Sequence, residues 1–217
     1  MAPVNPHTPG NLNSLQLGQV TDNADPQERG RVKVRLFSTA MELWASVVAP
    51  SAGANYGASF VPRQNEIVVL AFVTPELPLV LGSLWSGGTS RPEDADPQEE
   101  HYVIRTPEAS VLDFDDGDSG PKIKLTTRSG YQIIIDEGNG GEVTIERGEQ
   151  SVKLSSSGID VRSSGSVNVD ASSITINSAT VTVNASMSRF SGVVQADTLI
   201  ATSVVGSSYT PGAGNIW

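Results

Sequence analysis

The chain has 217 residues, a formal net charge of -10 and no cysteine. That balance opposes any role built on neutralising phosphates, so nucleic acid is not an expected partner, and the missing thiols exclude a disulfide framework or a thiolate metal site. With 21 Gly and 13 Pro, abundant Ser, Thr and Val, and no long periodic run of Leu, Ala, Glu and Lys, the composition predicts an all-β protein of short strands and turns.

Residues 1–14, "MAPVNPHTPGNLNS", read as a Pro- and Asn-rich arm without the basic start and apolar run of a signal peptide, so synthesis in the cytoplasm is the expectation. No stretch approaches the roughly 18 consecutive apolar residues of a membrane-spanning helix. Residues 15–90 carry several strand signals. In "GRVKVRLF", Val32, Val34 and Leu36 alternate with Arg31, Lys33 and Arg35, the period of a strand with one wet face, and "NADPQERG" before it supplies an Asp-Pro turn. Four or five such strands predict a small barrel. Residues 91–100 form an acidic, Pro-punctuated linker, and residues 101–150 a β-rich neck whose strands are separated by Asp-Gly, Ser-Gly and Gly-Asn-Gly-Gly turns.

Residues 151–206 change character. Apolar pairs Val152/Leu154, Ile159/Val161, Val167/Val169, Ile174/Ile176 and Val181/Val183 recur after seven or eight residues, each pair split by one polar residue. A strand of ~7 residues at about 3.3 Å each spans roughly 23 Å, enough for one side of a triangular prism and too little to close a circuit. Three chains that each supply one side of every layer would turn these pairs to a common axis and leave Ser, Thr, Asn and Asp in water. The repeat therefore predicts a homotrimeric, intertwined β-helix with these ten side chains as its core. A single-chain solenoid or sandwich is the alternative.

Residues 207–217 end in "SYTPGAGNIW". Pro211 cannot donate to a ladder, Gly212 and Gly214 permit a tight reversal, and Tyr209, Asn215, Ile216 and Trp217 can cap the needle or form a docking surface for a separate conical tip protein.

Catalytic chemistry finds little footing. "DFDDGDSG", Asp113 to Gly120, lacks the Gly at its sixth position and the bidentate Glu at its twelfth that a calcium loop needs, and reads as a solvated turn. "DEGNGGE", Asp136 to Glu142, reads as a hairpin turn rather than a pair of carboxylates across a cleft. No "GxSxG" is present. No catalytic residue, metal site or cofactor is expected.

The order of "GQVTDNADPQERGRVKVRLF", "WASVVAPSAGANYGASFVPRQNEIVVLAFV" and "PLVLGSLWSGG", followed by "KIKLTTRSGYQIIIDE" and "SYTPGAGNIW", resembles phage baseplate assembly protein V and the VgrG-like central spikes of contractile injection systems. The resemblance implies an OB-type barrel seated on a baseplate hub protein and a trimeric β-helix needle that leads penetration of a target envelope, meeting the membrane only on puncturing. It places the chain in a virion or phage tail-like particle. Relatives that bind iron at the tip do so through a His-X-His motif; this chain has only His7 and His101, so the resemblance implies no tip iron. The competing functional reading is a single-chain β-helix that binds or cleaves polysaccharide, an adhesin or a lyase.

Overall fold

The computed structural model describes residues 15–208 other than 89, 98 and 119. The chain divides into two units, the first ending at Val167 and the second starting at Asn168. Among the described residues there is no α-helix; the first unit consists of strands, turns and two short 3-10 turns.

The first unit begins with β1 (Gln16–Asp22), β2 (Arg31–Leu36) and β3 (Glu42–Val47), continues through the two-residue strands β4 (Ala52–Gly53) and β5 (Tyr56–Gly57), and returns with β6 (Ile67–Thr74) and β7 (Leu77–Leu84). Five of these close a barrel in the order β1-β2-β3-β7-β6, antiparallel except where β3 runs parallel to β7. Closure removes the free edges that an open small sheet would expose. The core is aliphatic: Val32, Val34 and Leu36 of β2 are fully buried together with Ala45, Val68, Leu70 and Val80. The period-two alternation read in "RVKVRL" thus sets the inward face of β2, and Lys33 and Arg35 on its outer face pair with Glu42 of β3 at 3.1 and 3.0 Å. Gly18 is fixed by packing, since a Cβ there would lie 2.5 Å from Val34 Cγ1 and 2.7 Å from the Arg35 carbonyl oxygen.

A 3-10 turn at Glu93–Ala95 lies in the linker, after which β8 (His101–Arg105), β9 (Val111–Asp115), β10 (Lys122–Thr126), β11 (Gln132–Asp136), β12 (Glu142–Arg147), β13 (Gln150–Ser155) and β14 (Gly158–Arg162) form one seven-stranded antiparallel meander in sequence order. Each connection is short, which is why consecutive strands are neighbours. The "DEGNGGE" segment is a hairpin turn: Asp136 Oδ1 accepts the Gly138 N–H at 2.8 Å, and Gly140 and Gly141 take φ of 98° and 77°, conformations that favour glycine. The meander crosses the expected boundary at residues 150 and 151, because Arg147↔Gln150 closes the β12–β13 hairpin there.

In the second unit no described residue is assigned to a strand, and every side chain from 168 to 208 is exposed. The backbone bends at Ser172, Ala179 and Ser186, seven residues apart and in step with the apolar pairs, then at Gly192, Asp197, Thr202 and Ser207.

Candidate functional site: an apolar sheet face open to solvent

In an antiparallel sheet, residues directly opposite one another share a face, and alternate residues of a strand point to opposite faces. The register of the meander therefore assembles two continuous rows. One runs Ile104↔Leu112↔Leu125↔Ile133↔Ile145↔Val152↔Val161, and the other Tyr102↔Phe114↔Ile123↔Ile135↔Val143↔Leu154↔Ile159. Every member is apolar, two per strand across all seven strands. At about 4.8 Å between strands the rows run roughly 29 Å.

The opposite face carries His101, Asp113, Asp115, Lys122, Lys124, Asp136, Glu142, Thr144, Lys153 and Asp160 in the same register. Its charges are cross-paired: Lys122 Nζ lies 3.4 Å from Asp136 Oδ2, and Lys153 bridges to Glu142. The Lys153 contact, with the Thr144 hydroxyl, holds the Glu142 carboxyl below its ordinary pKa. Long polar side chains thus cover one another while the apolar face stays open, with Tyr102 67% and Ile159 71% exposed. This is the reverse of a monomeric globular sheet, and contiguous exposed apolar surface of this kind marks an interaction site.

The sequence-predicted core residues fall into two groups. Val152, Leu154, Ile159 and Val161 belong to the two rows, as the last hairpin of the meander, Val152 opposite Val161 and Leu154 opposite Ile159. Val167, Val169, Ile174, Ile176, Val181 and Val183 follow beyond β14, each 60% or more exposed. The structure does not bring these six together within one chain. Tyr209, Pro211, Gly212, Gly214, Asn215, Ile216 and Trp217 lie outside the described residues.

Sequence reasoning missed the first ten residues of the rows, from Tyr102 to Ile145. The signal was present as further i, i+2 apolar pairs, Tyr102/Ile104, Leu112/Phe114, Ile123/Leu125, Ile133/Ile135 and Val143/Ile145. It was masked at β11, where Ile134 sits between two isoleucines on the polar face. The aspartates of "DFDDGDSG" act structurally: Asp113 Oδ1 lies 2.9 Å from His101 Nδ1, and Asp115 Oδ1 accepts the Gly117 N–H at 2.9 Å.

Residues 16–85 match the family model of the type VI secretion system/phage-baseplate injector OB domain. The match spans the five strands of the closed barrel and ends one residue past β7, and it supports a baseplate-associated structural role. No curated protein matches the chain.

Proposed function

We propose that this chain is the central spike subunit of a contractile tail or injection system, a homotrimer whose barrels sit on a baseplate hub protein and whose C-terminal part forms a three-chain β-helix needle. The observation that carries this reading is the pair of uninterrupted apolar rows on one face of the seven-stranded sheet, lying in the same chain as a barrel of the injector type. A sheet with one bare apolar face leaves a large apolar patch in water, and a three-fold axis lets three identical sheets turn that face inward while the charged faces remain wet. The pairs from Val167 to Val183 prolong the pattern with no cover of their own, as a strand system does when its partners come from other chains.

The role is mechanical. Strands hydrogen-bonded between chains do not peel away singly, so a narrow prism transmits axial force from the barrels to the end that meets the target envelope. The C-terminal residues from Tyr209 to Trp217 would then cap the needle or seat a conical tip protein. Light scattering on the full-length chain tests the assembly: the reading expects three times the 22.8 kDa chain mass. A folded monomer would overturn it and favour a single-chain polysaccharide-binding fold.

A further inference from the structure

We propose that His101 is a pH-sensitive latch that clamps the edge strand β8, and with it the linker residues next to it, onto the seven-stranded sheet. β8 is an edge strand of the sheet and β9 is its neighbour there, so beyond the backbone ladder it is held by side-chain contacts to β9 and to the linker turn. His101 opens β8, and its ring sits between two carboxylates of β9: Nδ1 lies 2.9 Å from Asp113 Oδ1 and Nε2 lies 3.7 Å from Asp115 Oδ1. All three side chains are largely covered, the imidazole retaining 16% of its exposure.

The ring's protonation state decides whether this arrangement attracts or repels. Protonated, it presents an N–H to each carboxylate; neutral, it keeps one N–H and turns a lone pair toward the other. A third carboxylate reinforces the bias from the linker side. Glu100 precedes the ring, its carbonyl oxygen accepts the Asp116 N–H at 2.9 Å, and its Oε2 lies 3.0 Å from where a Cβ on Gly117 would stand.

The other charged side chains near β8 come from β10, from the linker turn and from the far end of β8 itself. Lys122 stands opposite Asp115 but reaches Asp136, Lys124 stands opposite Asp113, and Arg105 at the far end of β8 pairs with Asp94 of the linker turn. His101 is the one group of this set whose ordinary range lies near neutral pH. Asp113 foremost, then Asp115 and Glu100, raise its pKa above the ordinary histidine value, against the opposing effect of burial.

The sign follows from linkage. A group whose folded pKa is raised contributes fully below the unfolded value of about 6.5 and loses that contribution as pH rises through the folded value. β8 and the linker residues next to it are therefore held in mildly acidic conditions and loosened in alkaline ones, while strands farther from His101 do not respond.

Amide hydrogen exchange on the full-length protein at pH 5.5 and pH 9, corrected for the intrinsic pH dependence of exchange, tests this. Protection over residues 99–105 is expected to fall about two- to fivefold at the higher pH, the range of partly exposed ion pairs, while residues 132–147 stay constant. H101N is expected to show the low value at both pH values, and H101K, charged at both, the high one. Unchanged protection of 99–105 in the wild type overturns the latch. So does a pH difference that survives in H101N, or a loss spread evenly over the whole sheet.

Discussion

Arg31 grips Asp25 with a two-pronged contact, Nε donating to Oδ2 at 3.0 Å and Nη2 to Oδ1 at 2.8 Å. The same carboxylate accepts the backbone N–H groups of Gln27, Arg29 and Arg31, and the guanidinium carbon lies 5.6 Å from the centroid of the Trp44 ring. One side chain thus organises the whole β1–β2 connection and ties it to β3. The Arg31 contacts, helped by those backbone donors, hold the Asp25 carboxyl far below the usual carboxylate range.

Asp25→Asn keeps the shape and removes the charge, so the barrel is expected to melt several degrees lower at pH 7. The pH dependence has a definite sign. A depressed carboxylate contributes fully above its unfolded pKa of about 3.9 and loses that contribution as pH falls through its folded value. The wild type should therefore lose stability on strong acidification by more than the variant does, a difference that thermal melts across the acid range would read. Parallel curves would show that Asp25 does not hold this loop.

Gly18 of β1 and Gly82 of β7 flank β6 on its two sides in the barrel and should respond differently to the same change. Gly18→Ala forces a methyl against Val34 and the Arg35 carbonyl, atoms fixed in β2, and overpacking of this kind costs about 1–3 kcal/mol. At Gly82 an added Cβ meets nothing within 4 Å, so alanine there is expected to be tolerated. Denaturant midpoints of the two variants decide it; equal midpoints would mean that β1 can shift away from β2.

The barrel was legible in the sequence because β2 alternates strictly and the turn before it carries Asp, Pro and Gly. The alternation of Val32, Val34 and Leu36 assigns them to one face from the sequence alone, and all three are buried. The neck was harder for a physical reason. A seven-residue recurrence of i, i+2 pairs arises equally from an antiparallel hairpin with a tight turn and from one coil of a multi-chain helix. Val152/Leu154 and Ile159/Val161 belong to the former, closed by the turn at Ser156 and Ser157. The latch around His101 was not legible at all. It depends on a cross-strand register that places residues 101, 113 and 115 together, and no local pattern announces that.

The apolar rows make a paired test of the assembly in the neck. Ile145→Asp places a carboxylate on the face proposed to turn inward, three times over, where an unpaired buried charge costs on the order of several kcal/mol per site. Thr144→Asp places the same charge one residue away, opposite Lys153, on the wet face. Light scattering is expected to show loss of the trimer for the first and an unchanged mass for the second. Trimers from both would move the interface away from this face.

The second unit gives an independent test, because it shares the spacing but not the sheet. Ile174 and Thr175 are adjacent, and in an extended segment adjacent side chains point in opposite directions. If Ile174 and Ile176 face a three-fold axis, Ile174→Asp gathers three carboxylates around it, and there is no neighbouring Lys or Arg to pair with them: between Arg162 and Arg189 the chain has no basic residue. Thr175→Asp adds one solvated charge per chain on the outside. The expectation is that Ile174→Asp frees this unit to proteolysis even where the barrel and meander stay folded, and that Thr175→Asp leaves it as resistant as the wild type. Limited digestion followed by mass spectrometry separates the outcomes. Equal resistance in the two variants would show that Ile174 does not face the axis, and a wild type cut as readily as Ile174→Asp would show that residues 168–208 gain no protection from assembly.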